Sequence, residues 1–564
     1  MIRYPLLRRL AEENPAFVSA KDGLVTLRIQ DRFVHSPYSP GKEALRLVEG
    51  LRGLDPSKTF VIVLGAGLGY HIELLEKEGF ERGVVIETNP EIARIFQRVY
   101  ELPSSFYWVG PEQTEEALDS IFALLDFSSL RWVKTVILRG SYEIGHYDAF
   151  EKRIQRLTQV KLGDFSTRLK FEEIWLIHMI RNLRNLRFST PLAKLFFRQQ
   201  NVPIVIVSAG PSLRQSLAAL SRVRSSVFMV AVDTALLPLY EAGIVPDMVY
   251  SLDAQVHTLE DFLGIDRKYL SRLHLVYDMV AHPETLAFVK EASSGPHYVA
   301  TTAHVDIDPQ GNPFLLKHEF VRWLELEFNT SLGDVETGGS VSTSVFHASF
   351  LMGGNPLLLV GQDLAFSYQT THVASTSHYY RYFPQAHRLH PINTIFFEAI
   401  LSRRLQKQPG IREKEVDSDF VLSNFKGWFE VSARRLSEFR GIRCINATRD
   451  GVRLEGFLHE DIEDVLKKFP PFSHDREKLF VSDPLPVAPL HKIQKRLEAL
   501  KKELQGYVFD DGFFEKIRAL GQEFLERYYM RERMLFERYG NRDTISLERK
   551  TYRLIKAIEE LGDE

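Results

Sequence analysis

The sequence has little of several features that mark specialised protein classes. Among its 564 residues there is one cysteine, Cys444, which excludes an internal disulfide framework and a zinc site built on several cysteines. No apolar run approaches the roughly 18 residues of a membrane helix, and the first residues lack the apolar core of a secretion signal. Basic and acidic residues number 71 and 74, so no charge excess indicates a nucleic-acid or membrane-surface partner. We therefore expect a cytoplasmic globular protein without a membrane span.

The length of the chain and its hydrophobic patterns predict several domains of the α/β class. A chain of 564 residues is too long for one hydrophobic core, and its hydrophobic content of 44% is typical of folded proteins. We predict a Rossmann-like N-terminal domain over residues 1–148, a helical connector over 149–200 and a central parallel-sheet domain over 201–460. A helical C-terminal region over 461–564 completes the prediction.

A buried strand that ends in three alternate glycines is the main feature of the N-terminal domain. Gly65, Gly67 and Gly69 follow the strand, and Glu87 comes at the end of the next one. The pattern resembles the nucleotide-binding turn of Rossmann-type methyltransferases, in which the acid binds ribose hydroxyls. The third glycine comes one residue early for the dinucleotide-binding pattern, and we favour a turn kept for close packing. Whether it binds a nucleotide is left open.

The central domain is organised around the apolar run Ile204–Val207 and the small-residue turn that follows it. Ser208, Ala209 and Gly210 allow the backbone to turn sharply and to approach a ligand closely. The predicted helix, with Pro211 at its first position and Ser212 in its first turn, places its N-terminal N–H groups at the same point. This arrangement predicts an anion site.

Polar residues also end the other predicted strands of the central domain. In open parallel sheets, ligands bind at the carboxyl ends of the strands, near the switch in strand order. We therefore expect the polar strand ends to crowd one rim of the sheet. They are Asp233, Thr234, Asp253, Gln362 and Asp363.

Two further segments add candidate residues. Gly338 and Gly339 precede Ser340, a predicted N-cap, and the paired glycines leave backbone N–H groups available to a phosphate or carboxylate. The polar segment 364–378, which contains two histidines, is typical of a lid. A helix is predicted over 391–405.

The motifs of the central domain occur in an order that resembles a known family. They are Ser208-Ala-Gly-Pro-Ser-Leu213, Ala231-Val-Asp-Thr-Ala235, Gly243-Ile-Val-Pro-Asp247, Gly338-Gly-Ser-Val341 and Gly361-Gln-Asp-Leu-Ala365. Together they look like the central domain of the motility-associated factor family of flagellin glycosyltransferases. The same domain, called MptE-like, is shared with an archaeal pterin diphosphokinase family, and it is similar to a bacterial sialyltransferase fold.

The resemblance implies transfer of a sialic-acid-like sugar, such as pseudaminic or legionaminic acid, from a CMP donor to Ser or Thr of flagellin. It implies no cofactor and no metal site. A base must accept the proton of the acceptor hydroxyl, and the candidate catalytic residues are Asp253, His372 and His378. The candidate donor-binding residues are Ser208, Gly210, Pro211, Ser212, Asp233, Thr234, Gly338, Gly339, Ser340, Gln362, Asp363 and Tyr368.

Two alternative functions stay open at this point. The first is a non-catalytic adaptor that binds flagellin through its helical C-terminal region. The second is a pterin diphosphokinase that uses ATP and Mg²⁺, for which Asp233, Asp253 and Asp363 are candidate metal ligands. The identity of the sugar, the modified flagellin residues, the oligomeric state and the choice of base are also left open.

Overall fold

The computed structural model describes residues 2–123, 125, 130–293, 295–307, 313–468, 476–510, 512–539 and 543–561. The chain divides into two compact units. The first consists of Met1–Lys170 with Asp306–Phe314, and the second of Phe171–Val305 with Leu315–Glu564. The finer division into four regions stays a prediction. Among the residues described, none of the helices combines the length and apolar character needed to cross a bilayer.

The first unit contains a parallel sheet in the strand order β6-β5-β4-β7 and an antiparallel sheet in the order β1-β2-β3. The strand β4 is fully buried along its length, as its run of apolar residues predicts. Its strands are β1 (Phe17–Ser19), β2 (Val25–Ile29), β3 (Arg32–Phe33), β4 (Thr59–Leu64), β5 (Gly83–Ile86), β6 (Phe106–Val109) and β7 (Trp132–Ile137). Its helices are α1 (Tyr4–Glu13), α2 (Pro40–Glu49), α3 (Tyr70–Lys77), α4 (Pro90–Val99), α5 (Ala117–Ala123) and α6 (Arg139–Ile144), and α7 (Asp148–Leu186) begins in this unit.

The second unit is built on a parallel sheet. Its strands are β8 (Ser189–Pro191), β9 (Ile204–Val207), β10 (Phe228–Val232), β11 (Met248–Ser251), β12 (His274–Asp278), β13 (His297–Ile307), β14 (Pro313–Lys317), β15 (Asp334–Glu336), β16 (Leu357–Val360), β17 (Leu405–Pro409), β18 (Glu415–Asp419), β19 (Cys444–Asn446) and β20 (Leu458–His459). The main path runs β14-β13-β12-β11-β10-β9-β16-β19-β20, and β8 and β15 pair with β13. The chain moves outward from β9 to β13 and then places β16 on the other side of β9. The strand order therefore reverses between β9 and β16, which is the switch point of the sheet.

Helices cover the main sheet and form the C-terminal part of the second unit. They are α8 (Leu213–Val223), α9 (Leu236–Glu241), α10 (Arg267–Leu270), α11 (Pro283–Ala292), α12 (Glu319–Phe328), α13 (Val341–Leu351), α14 (Ser377–Tyr380), α15 (Ile392–Leu401), α16 (Phe420–Arg440), α17 (Ile462–Leu466), α18 (Val487–Gln505), α19 (Phe513–Ala519), α20 (Glu523–Tyr528), α21 (Met530–Tyr539) and α22 (Thr544–Glu559). The predicted α/β class, the parallel sheets and the helical C-terminal region are confirmed.

One predicted helix is too long. The helix predicted over 391–405 ends at Leu401, and Leu405 begins the strand β17. This strand pairs antiparallel with β18, and the ion pair between Arg403 and Asp419, at 2.8 Å, fixes the chain where it leaves the helix. The local sequence favours a helix, but the partner strand lies downstream and overrides that preference.

Candidate active site

The switch in strand order places the turn after β9 beside the turn after β16. Val207 pairs with Val360, and the Gly210 N–H donates to the Gly361 carbonyl at 2.8 Å. A Cβ atom on Gly210 would come within 2.5 Å of that carbonyl oxygen and would also collide with the Asp363 carboxyl group. The close approach to the Gly210 backbone is therefore present, as predicted. The group that comes close is the protein's own turn after β16.

Asp363 occupies the N-terminus of α8. Its Oδ2 accepts a hydrogen bond from the Ser212 N–H at 2.9 Å, and its Oδ1 accepts one from the Ser212 hydroxyl at 2.7 Å. Burial raises the pKa of Asp363 to about 7. The positive end of the α8 dipole thus already faces a carboxyl group of the protein.

The residues that flank these turns are also buried. The Gln362 N–H donates to the Thr448 hydroxyl at 3.1 Å, and the Gln362 Oε1 has no hydrogen-bond partner within the described ranges. The Ser208 hydroxyl donates to the Ser342 hydroxyl at 3.0 Å, which brings the first turn of α13 to the carboxyl end of β9.

The N-terminus of α13 is built as the sequence predicts. Ser340 is the N-cap, and its side chain accepts from the Thr343 N–H in a capping box. Gly338 packs against the ring of Trp428 so closely that a Cβ atom would collide with it, and Gly339 adopts a φ of 96°, which favours glycine. The N–H groups of Val341 and Ser342 donate to no acceptor in the part of the chain that the structure describes. The N-terminus of α13, unlike that of α8, leaves N–H groups available to an anion.

Asp233 and Asp253 lie at the ends of β10 and β11, as expected. Asp233 is 3% exposed; its Oδ1 accepts from the Thr234 N–H at 2.9 Å, while its Oδ2 has no partner among the described residues. Burial, with a smaller effect from the charge of Asp253, raises the pKa of Asp233 to about 6. Asp253 is exposed, and its Oδ1 accepts from the Gln255 N–H at 2.9 Å.

The two candidate histidines lie together. Their rings stack with 4.4 Å between centroids and 14° between planes. Burial lowers the pKa of His372 to about 3 and also lowers the pKa of His378. Both rings are therefore neutral near pH 7, as a proton acceptor requires, but a pKa of about 3 makes His372 a poor base. Which of the two histidines serves as the base stays a prediction.

The segment that carries the histidines is attached to the rim at several points. The Val373 N–H donates to the Ala209 carbonyl at 2.9 Å, next to the Gly210 turn. Tyr368 has a left-handed backbone (φ 55°), its side chain is half exposed, and burial and a hydrogen bond to Asp450 raise its pKa. The lid-like segment is thus packed against the turn after β9.

Two buried carboxyl groups at this rim were not among the sequence-based candidates. Asp278 ends β12, accepts from the Val280 N–H at 3.0 Å and from the Thr302 hydroxyl at 2.9 Å, and has a pKa that burial raises to about 6. It follows the same strand-end pattern as Asp233, so the sequence carries a signal for it. Asp261 lies in the 3-10 helix Val256–Asp261, where no strand-end pattern marks it.

The glycine turn of the first unit is filled by protein atoms. Cβ atoms on Gly65 and Gly67 would lie within 2.6 Å of Ser141 and within 2.5 Å of His35, and one on Gly69 would collide with Tyr100. Glu87 is fully buried and accepts from the Ala66 N–H (2.9 Å), the Asn89 N–H (3.0 Å), the Ser141 hydroxyl (2.6 Å) and the Tyr147 hydroxyl (2.9 Å). These contacts support the packing interpretation of the turn.

The described residues contain no group of three or more His, Cys, Asp or Glu side chains arranged to hold a metal ion. The rim instead combines two neighbouring sets of candidates. Ser208, Gly210, Ser212, Gln362 and Asp363 surround the switch point, and Asp233, Asp253, His372 and His378 lie beside them. The role of each residue in donor binding or catalysis stays a prediction.

Comparisons with known proteins agree with this fold. The model of the family described as 6-hydroxymethylpterin diphosphokinase MptE-like matches residues 177–369. The structure of the MAf glycosyltransferase from Magnetospirillum magneticum AMB-1 superposes with a TM-score of 0.56 at 14% identity, covering 99% of this chain and 88% of that one. An uncharacterized protein of Treponema pallidum (strain Nichols) is 30% identical over 109 residues, which are 19% of this chain and 51% of that protein. The resemblance drawn from the sequence motifs is confirmed.

Proposed function

Because the chain carries an MptE-like domain within the fold of a MAf glycosyltransferase, we propose that it is a glycosyltransferase. It transfers a sialic-acid-like sugar, pseudaminic or legionaminic acid, from a CMP donor to Ser or Thr of flagellin in the cytoplasm, and so supports flagellar assembly and motility. The proposal includes no cofactor. Its support is the fold likeness together with the motif resemblance, and its acceptor and donor come from that resemblance.

One observation carries the proposal furthest, namely the open N-terminus of α13 at the carboxyl end of β9. The N–H groups of Val341 and Ser342 donate to no described acceptor, and they adjoin the hydroxyl of Ser208. A nonulosonic acid carries a carboxylate, and its CMP ester carries a phosphate. Two N–H groups and the helix dipole are suited to either anion.

Several residues of the rim each have a role in the transfer step. The acceptor oxygen forms a bond to the anomeric carbon while the bond from that carbon to the phosphate oxygen breaks, and CMP leaves with the electron pair. The hydroxyl proton passes to His378, whose lowered pKa leaves the ring neutral near pH 7. Asp253, which is exposed at the end of β11, orients the acceptor, and Asp233 accepts a hydrogen bond from the donor through its unpartnered Oδ2.

The substitution Val341→Pro tests the role of α13. Val341 is the first residue of the helix, where proline removes one N–H and is otherwise tolerated, and Ser340 before it has the extended backbone that proline requires (φ −133°, ψ 154°). We expect a folded protein that binds the CMP-sugar more weakly, by roughly 1.5–3 kcal/mol for one charge-assisted hydrogen bond. Calorimetry with the CMP-sugar and with CMP alone shows which anion α13 binds. Val487→Pro, at the first position of α18, is the matched control.

Transfer itself is tested with purified protein, CMP-pseudaminic acid or CMP-legionaminic acid, and unmodified flagellin. The expected result is a gain of one sugar mass per modified residue in the mass spectrum of flagellin. A folded protein that releases no CMP and adds no mass with either donor would overturn the proposal. Binding of flagellin without transfer in that experiment would favour the adaptor function.

The match to the MptE-like family model favours one second candidate, a pterin diphosphokinase. This reaction requires ATP and Mg²⁺, and the candidate ligands from the sequence are Asp233, Asp253 and Asp363, which form no ready metal-binding group within the described residues. Thermal-shift measurements with CMP, with the CMP-sugar and with ATP–Mg²⁺ separate the two. Stabilisation by ATP–Mg²⁺ alone, followed by turnover of 6-hydroxymethylpterin, would replace the first proposal with the second.

A further inference from the structure

The short helix α14 is held against the 3-10 helix Val256–Asp261 by two polar contacts. The Ser377 hydroxyl donates to Asp261 Oδ1 at 2.5 Å, and both residues are buried, at 6% and 4% exposure. Four residues later, Arg381 forms an ion pair with Glu260 at 2.8 Å. Residues four apart lie on one face of a helix, so the two contacts attach the same face of the α14 segment to two consecutive residues.

These contacts decide where His378 lies. His378 follows Ser377 directly, and its ring stacks on that of His372. A helix of four residues has almost no stability of its own, because helix nucleation costs more than one turn of hydrogen bonds returns. The N-cap contributed by Thr376 is local to the segment and does not attach it to the sheet. The buried contact from Ser377 to Asp261 therefore helps to fix the position of α14, together with the Arg381–Glu260 ion pair and the packing of Tyr379 against Phe396.

We propose that Asp261 is a positioning residue of the active site, which acts through Ser377 to hold His378 at the rim beside His372. The inference rests on the proposed function for its catalytic consequence, but the placement of the histidine does not depend on the identity of the substrate. Asp261 touches neither the donor nor the acceptor in this scheme. Its effect on His378 passes through α14, and its charge also acts on Asp233.

The charged groups around Asp261 give this contact a pH dependence. Burial, the charge of Asp233 and, to a smaller extent, the charge of Glu260 raise the pKa of Asp261 to about 8, against the opposing effects of Ser377 and Arg381. A neutral carboxyl group still accepts from Ser377 through its carbonyl oxygen. Above about pH 8 the group ionises beside Asp233, and the charged carboxylate accepts a stronger hydrogen bond from Ser377. We therefore expect the attachment of α14 to persist on the alkaline side.

The first experiment needs no substrate. Histidine Cε1–H signals of the full chain are followed by NMR during a pH titration, for the parent protein and for Ser377→Ala, Asp261→Ala and Asp261→Asn. Both alanine variants should raise the pKa of His378 toward its ordinary value, because the loosened ring becomes hydrated. Asp261→Asn keeps an acceptor oxygen for Ser377 and should resemble the parent protein. Ser402→Ala, which removes a hydroxyl bound to the Ala399 carbonyl at 2.8 Å, is the control.

The second experiment measures transfer from the CMP-sugar. Ser377→Ala and Asp261→Ala should each lower kcat, on the order of 10²-fold for a misplaced catalytic group, and Ser377→Ala should leave donor affinity unchanged. The double variant should be no worse than either single one, because both substitutions break the same contact.

An unchanged His378 titration in both alanine variants would overturn the inference whatever the activity is. Additive losses of kcat in the double variant would also overturn it, because Asp261 would then act by another route. If the parent protein transfers no sugar, the proposed function fails, and the NMR titration still decides the positioning of His378.

Discussion

The Oδ2 atom of Asp233 is a buried carboxyl oxygen without a partner among the described residues. Burying such an atom is costly unless a ligand or water pairs with it. Asp233 follows β10 at the rim, where burial raises its pKa and the nearby Ser251 side chain opposes the rise, and we propose a donor hydroxyl or amino group as the partner of this oxygen. Whether this oxygen binds the donor therefore decides whether Asp233 is a structural residue or a substrate-binding residue.

The substitution Asp233→Asn tests this assignment. Asparagine keeps the shape and can keep the bond from the Thr234 N–H, but it removes the charge that faces the donor. We expect weaker binding of the CMP-sugar by roughly 1.5–3 kcal/mol, as for a lost charge-assisted hydrogen bond. Calorimetry on the purified variant measures it. Asp253→Asn, at the exposed carboxyl group, should leave donor affinity unchanged and lower transfer to flagellin. Normal donor affinity in Asp233→Asn would mean that the aspartate is structural.

The pKa of Asp278 predicts how stability changes with pH. Burial raises this pKa to about 6, so the folded protein binds a proton at Asp278 that the unfolded chain has already lost. The stabilisation from that proton is complete below the ordinary pKa of an aspartate and disappears as the pH rises through about 6. Asp278→Asn keeps both hydrogen bonds, because the amide can donate to Thr302. Its Tm should therefore fall less than that of the parent protein between pH 5 and pH 8.

The control for Asp278→Asn is Asp31→Asn, which removes an exposed carboxyl group paired with Arg28 at the surface. Its Tm should follow that of the parent protein at every pH. Identical pH profiles for Asp278→Asn and the parent protein would contradict the assignment of a buried proton to this site.

The turn after β9 depends both on its own small residues and on contacts with residues far along the chain. Gly210 has room for no side chain, because the Gly361 carbonyl and the Asp363 carboxyl group occupy the space of a Cβ atom. We expect Gly210→Val to unfold the central sheet or to lower its Tm strongly, so donor binding would be lost together with the fold. Circular dichroism and thermal melting measure this. Gly163→Ala, where the Cβ enters open space within α7, should instead stabilise by about 0.5–1 kcal/mol.

Residue type and spacing predicted the strands and helices at this rim. The contacts that they did not predict join residues far apart in the chain. The strand Ile204–Val207, the helix after Ser212 and the N-cap Ser340 follow from residue type and spacing, and all three are present. The sequence predicted that the N-terminus of α8 is open to an anion. The group that faces it, Asp363, lies 151 residues downstream, and no local pattern reveals that pairing.

The roles of the two histidines also could not be predicted from the local sequence. Spacing alone left His372 and His378 equivalent as candidate bases. Burial lowers the pKa of both rings, and that burial comes from parts of the chain that no local pattern reveals. Asp261 carried no signal at all, because its importance comes from one contact to Ser377, 116 residues away.

At the scale of the whole molecule, buried ionisable groups join separate elements within each compact unit. In the first unit one such group is Glu87, which accepts four hydrogen bonds around the glycine turn. We expect Glu87→Ala to destabilise this unit by roughly 2–4 kcal/mol, as for the loss of a buried hydrogen-bond network. Hydrogen exchange of its peptides measures the change, and Glu91→Ala, at an exposed position, is the control. Equilibrium dialysis should detect no S-adenosylmethionine; binding that Glu87→Ala abolishes would contradict the packing interpretation.

In the second unit, the largely buried side chain of Arg527 joins three helices. From α20 it contacts Glu172 of α7 at 3.0 Å and both carboxyl oxygens of Glu319 of α12, at 2.8 and 2.6 Å, and it is 15% exposed. Removing one partner of a buried ion pair leaves the other charges without compensation, at a cost of about 3–5 kcal/mol.

Arg527→Met keeps most of the side-chain volume and should lower the free energy of unfolding of the second unit by that amount. Urea unfolding followed by hydrogen exchange of the α7, α12 and α20 peptides measures the effect in the unit concerned, because two units need not unfold together. Arg518→Met is the matched control, since Arg518 is 65% exposed and lies 3.5 Å from Glu526, where a surface pair contributes about 0–1 kcal/mol. Equal losses in the two variants would mean that the Arg527 contacts contribute no more than a surface pair. The three helices would then be held together by the apolar cluster alone, in which Phe320 of α12 and Phe524 of α20 are buried against each other.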